Sequence, residues 1–217
     1  MSTPIELIAS LGVVPVIAIE SASDAVPLAD ALLEGGLPVA EITFRTAAAA
    51  DVLAAIRDAR PELCIGAGTV LDEAALRRAI DSGARFGLAP GFDAEIVKAA
   101  QKAELPFCPG VMTPSDLTGA ARLDVRLAKF FPAAAAGGPA FLENISAPFA
   151  HLGMRFIPTG GVSEATIGDW LKVKSVVAIG GTWIARTDDI REGRFDDIAR
   201  KAKAAVQAAR RALEARG

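Results

Sequence analysis

Short apolar runs alternate with alanine-rich amphipathic stretches from one end of the 217-residue chain to the other. The runs with the length and content of strands are Val13–Ile19, Val39–Phe44, Cys64–Val70, Phe86–Ala89, Phe107–Gly110, Arg126–Phe131, Arg155–Thr159 and Val176–Ile179. They begin 19 to 29 residues apart. That spacing is one strand, one short helix and two loops, repeated eight times. Start signals precede many of the helical stretches: Ser23, Thr46, Asp72, Asp93 and Ser163, and Thr113-Pro114 with Asp116 completing the first turn. A first helix is expected near Ile5–Leu11 and a last one over Asp196–Glu214. The strands are apolar on both faces, as parallel strands covered by helices must be. The pattern therefore predicts an α/β fold: a (β/α)8 TIM barrel with an extra N-terminal helix, in one domain over residues 1–217. A doubly wound open sheet is the alternative.

Composition narrows the function. A formal charge of −3 provides no field for nucleic acid or an anionic membrane. No apolar run is long enough to span a bilayer, and MSTPIELIASLG lacks the basic start and long apolar stretch of a secretory signal. Cys64 and Cys108 lie in apolar runs and read as buried free thiols. A cytoplasmic protein without nucleic-acid or membrane partners is expected. The single histidine, His151, argues against a metal site, which would draw on several. No P-loop, dinucleotide fingerprint or Ser-His-Asp set is present, and no cofactor is expected.

In a barrel, chemistry sits at the C-terminal ends of the strands. Of seven lysines, only Lys129 falls inside an apolar strand, Leu127-Ala128-Lys129-Phe130-Phe131-Pro132. Burying an ammonium without a partner is costly. A desolvated amine is pushed towards its neutral form, which attacks ketones. A strand lysine paired with an acid, or reaching to solvent, is the competing explanation. In Val39-Ala40-Glu41-Ile42-Thr43-Phe44-Arg45-Thr46, strand alternation puts Glu41, Thr43 and Arg45 on one face and the apolar residues on the other. The polar face then points into the barrel. There Glu41 could shuttle protons and Arg45 could grip a carboxylate; a structural Glu–Arg pair is the alternative. Gly66-Ala67-Gly68-Thr69-Val70 offers a hydroxyl at Thr69, with its glycines more in keeping with a turn than with ligand access. Two double glycines, in Pro158-Thr159-Gly160-Gly161-Val162-Ser163 and Gly180-Gly181-Thr182-Trp183, end strands seven and eight. This is the usual phosphate cradle of the fold, unless the glycines serve only tight turns.

Together with Pro90-Gly91 and Lys129-Phe-Phe-Pro-Ala133, these motifs resemble the 2-keto-3-deoxy-6-phosphogluconate (KDPG) aldolase family, some of whose members cleave 4-hydroxy-2-oxoglutarate. The resemblance spans nearly the whole chain. It implies a class I aldolase, a homotrimer, acting on a phosphorylated 2-keto acid. It implies that Lys129 is the Schiff-base lysine and Glu41 the proton carrier. Arg45 and Thr69 would hold the pyruvate carboxylate; Gly160, Gly161, Gly181 and Thr182 would hold the phosphate, with Pro90 also at the substrate. Thr159 matches gluconate-type members, whereas galactonate-type relatives carry an aliphatic residue. Two departures stand out: Ala134-Ala135-Ala136, where many members have Glu or Ser, and Thr182, where serine is common. A phosphosugar isomerase or epimerase, with Glu41 as base, and a non-catalytic phosphometabolite-binding protein are the rival readings.

Overall fold

The computed structural model describes residues 3–216. The first half runs α1 (Pro4–Leu11), β1 (Val13–Ile17), α2 (Ala25–Glu34), β2 (Val39–Thr43), α3 (Ala49–Ala59), β3 (Cys64–Gly68), α4 (Glu73–Asp81), β4 (Gly87–Leu88) and α5 (Ala94–Lys102). Then follow β5 (Phe107–Cys108), β6 (Gly110–Val111), α6 (Pro114–Arg122), β7 (Leu127–Phe130), α7 (Gly138–Ser146) and β8 (Arg155–Pro158). The chain ends with α8 (Ile167–Leu171), β9 (Ile179–Gly181), α9 (Thr187–Arg191) and α10 (Phe195–Arg216). All strand pairings are parallel. Six strands pair in the order β5-β4-β3-β2-β1-β9 and three in the order β6-β7-β8. Pro109 separates β5 from β6: it has no N–H for the ladder, yet its carbonyl still accepts from the Lys129 N–H at 2.9 Å. Two isolated parallel bridges, Phe156 to Val176 and Thr159 to Gly180, join the β8 side to the β9 side.

The caps expected at Asp72, Asp93 and Thr113 are present, the last as a capping box with Asp116. Two expected caps are not. Ser23 lies inside a short 3₁₀ turn whose N-cap is Ser21. Thr46 is drawn away by a tertiary contact: its hydroxyl donates to the Ile19 carbonyl at 2.7 Å, and α3 begins without a side-chain cap. The eighth strand is also displaced. Expected over Val176–Ile179, it runs Ile179–Gly181, and Val176 takes part only through its isolated bridge to Phe156.

Alternation in β7 sorts its side chains as well as its register. Lys129 faces the interior, while the neighbouring Phe130 packs outwards, with ring centroids 6.2 Å from both Phe141 of α7 and Trp170 of α8. Such aromatic pairs contribute about 1 kcal/mol each beyond their buried area. They fix the strand that presents the lysine. Among the described residues no helix is long and apolar enough to cross a membrane.

Candidate active site

Glu41 and Lys129, 88 positions apart, meet in the interior. Lys129 Nζ donates to Glu41 Oε1 at 2.9 Å, and the residues are 5% and 1% exposed. An ammonium has three N–H groups; only this one is engaged among the described residues. Removing either partner of such a buried pair costs about 3–5 kcal/mol. β3 makes room for the carboxylate. Gly68 is the register partner of Thr43, and a Cβ there would collide with the Glu41 carboxylate. Gly66 has a similar duty towards the Phe86 ring. Neither glycine forms a turn: both lie within the strand and are there for space.

Cys108 lies in the field of this pair. Burial first, and the Glu41 carboxylate second, push its thiol up to about 12, with Lys129 pulling weakly the other way. The thiol thus stays protonated and unreactive at neutral pH.

Above the pair the sheet ends in polar groups. Val16 is in register with Glu41 and shares its face. Val16 also floors an open cleft of about 290 Å³ lined by Arg45, Thr182, Arg186 and Asp188. Arg45 is steadied through Nε, which donates to Thr43 Oγ1 at 3.3 Å; Thr43 in turn donates to the Ile17 carbonyl. Thr69 follows directly on Gly68 and adopts φ +59°. That conformation is unusual for a β-branched residue and costs about 1–3 kcal/mol. Pro90 packs its carbonyl onto Gly110, whose register partner is Lys129.

The two double-glycine segments lie together. Thr159, 4% exposed, bridges to Gly180 and fills the space a Gly180 side chain would need. Gly160 and Gly161 take φ +96° and +74°, which L-residues with side chains rarely adopt. A Cβ on Gly161 would lie 2.5 Å from the Ala134 Cβ. Ala133 and Ala134 N–H groups donate to the Thr159 and Gly160 carbonyls, tying the β7 and β8 loops together. Trp183 lies over Gly181, and its Nε1–H is fully buried without a partner.

Sequence reasoning missed Phe131. Its ring centroid is 5.9 Å from Lys129 Nζ, and its edge lies 3.2 Å from where a Gly160 Cβ would stand. The ring therefore spans the gap between the lysine and the glycine loops. His151 is exposed on a 3₁₀ turn that precedes β8, at the opposite end of that strand from the glycine loop that follows it. A groove of about 550 Å³ runs between α4 and α5 on the outer surface. Its charges are ordinary helix-surface residues, and Lys129 is not among its walls.

The sequence profile described as "KDPG and KHG aldolase" matches residues 5–201. The KHG/KDPG aldolase of Escherichia coli K12 is 41% identical over 198 residues, covering 91% of this chain and 92% of its own. The 2-dehydro-3-deoxy-phosphogluconate aldolase of Pseudomonas aeruginosa is 40% identical over 195 residues, 90% of this chain and 88% of its own. Among solved structures, KDPG aldolase from Legionella pneumophila, with pyruvate captured as a covalent carbinolamine, superposes with a TM-score of 0.88 at 37% identity. It covers 94% of this chain and 98% of its own.

Proposed function

The chain belongs to the KDPG and KHG aldolase family, and from that premise we propose the residues and steps by which it acts. It is a class I aldolase, cleaving KDPG to pyruvate and glyceraldehyde 3-phosphate. The observation that carries the residue assignment is the buried 2.9 Å contact between Lys129 Nζ and Glu41 Oε1. Lys129 passes a proton to Glu41 along this bond and attacks the C2 ketone. The carbinolamine forms as a proton moves from its nitrogen to its oxygen, and Glu41 gives its proton to that hydroxyl as water leaves, so that the iminium faces a free carboxylate. The iminium is an electron sink. Glu41 removes the C4 hydroxyl proton, the C3–C4 pair flows towards nitrogen, and glyceraldehyde 3-phosphate leaves. The enamine is then protonated at C3 and hydrolysed, releasing pyruvate and free Lys129.

In this reading Arg45 and Thr69 orient the keto-acid carboxylate, which fixes the line of attack. The backbone N–H groups of Gly160, Gly161 and Gly181 and the Thr182 hydroxyl receive the phosphate. Pro90 supports the strand beside the lysine. Thr159 favours the gluconate over the galactonate substrate. Cleavage of 4-hydroxy-2-oxoglutarate is a second activity.

We also infer that β5 and β6 act as one strand broken at Pro109 and that the two bridges mark a seam. Eight parallel strands would then close as a (β/α)8 barrel in a single domain, with α1 across its lower mouth. A homotrimer is the assembly we infer, and a reducing, cytoplasmic setting suits the two unpaired buried thiols.

The test of the chemistry is borohydride reduction in the presence of pyruvate, followed by peptide mapping. A covalent adduct on Lys129 is expected. Unmodified protein at saturating pyruvate would sink the reading.

A further inference from the structure

We propose that Arg186 is a specificity-determining residue, supplying the cation that recognises the terminal phosphate of the substrate. The proposal rests on the aldolase reading above and deepens it.

The reasoning starts from what the phosphate cradle lacks. Gly160, Gly161, Gly181 and Thr182 offer backbone N–H groups and one hydroxyl, all partial charges. The neighbouring β7 loop, Ala134-Ala135-Ala136, adds no polar side chain. A phosphate monoester carries nearly two negative charges at neutral pH. Arginine is over-represented where phosphate is recognised, because its fork adds a full charge to its hydrogen bonds.

Arg45 lines the cleft but is tethered by Nε to Thr43, at the keto-acid end. The basic residues just downstream are committed elsewhere. Arg191 is paired with Asp188, and Arg194 and Lys201 with Asp189. Arg186 is different. It is exposed, its guanidinium makes no hydrogen bond or ion pair among the described residues, and it lines the same 290 Å³ cleft as Thr182 and Arg45. Unpaired arginines also occur on outer helices, Arg77 and Arg211 for example. What sets Arg186 apart is its place: the cleft it lines is floored by Val16, directly in register with Glu41. Asp188, the acid lining the same cleft, is paired with Arg191 at 2.8 Å and is outnumbered by the two arginines that line it. The cleft therefore presents uncompensated positive charge at its rim. A long, unengaged side chain there can fold onto a phosphate without first breaking another contact.

The experiment compares the full-length protein with Arg186→Gln and Arg186→Lys. Three quantities are read: KM for KDPG, the inhibition constant of inorganic phosphate, and borohydride trapping of pyruvate. Arg186→Gln is expected to raise both KM and the inhibition constant about 30-fold, the worth of one charge-assisted contact. Trapping at Lys129 should persist, and Arg186→Lys should recover part of the loss. Cleavage of the same sugar acid without its phosphate should change less than threefold. Unchanged KM and phosphate inhibition, or equal losses on substrates with and without phosphate, would overturn the proposal while trapping still supports the aldolase reading. Absence of trapping in the unaltered protein would refute both.

Discussion

Glu41 and Asp189 are both buried carboxylates, 1% and 4% exposed, but their company differs. Glu41 meets one cation, Lys129, which is as deeply buried as itself. Asp189 meets two, Arg194 and Lys201, whose side chains reach in from the surface at 38% and 26% exposure. Burial pushes the Asp189 carboxyl up, but hydrogen bonds from Lys201 and Arg194 outweigh it and hold the group at about 2. That charge is fixed at neutral pH and can neither take nor return a proton. It staples α9 to α10. Glu41, by contrast, accepts through Oε1 only, leaving Oε2 without a protein partner among the described residues. Burial alone therefore does not make the two carboxylates alike: one is held by two cations from the surface, the other is incompletely satisfied and faces an equally hidden amine, which is why the proton-carrier role is proposed for Glu41 and not for Asp189.

The comparison breaks most sharply at Lys129. Lys129→Met should lower KDPG cleavage at least ~10⁴-fold, with circular dichroism verifying that the fold survives. Glu41→Gln should still trap pyruvate but turn over ~10²–10⁴-fold more slowly. If instead Asp189→Asn produced the larger rate loss, the division drawn here would be wrong. A finer test displaces the acid without changing it. Gly68→Ala forces the Glu41 carboxylate off its position and should cost about 10- to 100-fold in kcat, with the Lys129 adduct still forming.

The smallest effect concerns stability. Asp189→Asn should leave kcat within about twofold and lower stability by roughly 2 kcal/mol, discounted for the exposure of its partners. Because the folded carboxyl sits below its unfolded value of about 3.9, its contribution is full above that pH and disappears as pH falls towards 2. Thermal unfolding of both proteins against pH should show the gap closing only in that window.

Much of this was legible because it is local. Caps at Asp72, Asp93 and Thr113 depend on residues two or three positions away, and sequence spacing reveals them. The inward set Glu41, Thr43, Arg45 follows from alternation, and Lys129 from its apolar flanks. What escaped depends on contacts between elements. Thr46 serves the Ile19 carbonyl, 27 positions away, rather than its own helix. Gly68 is small because of a glutamate on the neighbouring strand, which no turn rule anticipates. Phe131 reads as one more core aromatic until its ring is seen between Lys129 and Gly160. Asp189 and Lys201 are ordinary helix charges in sequence, and only packing makes them partners.

Cys108 adds a point about chemical choice. The molecule carries, within one electrostatic neighbourhood, two side chains that could attack a carbonyl. In free solution the sulfur would be the better competitor. Here burial disfavours the thiolate it would need to form, while the amine is hydrogen-bonded to a carboxylate. In the mechanism proposed above, the choice between the two is then made by solvation and not by reactivity.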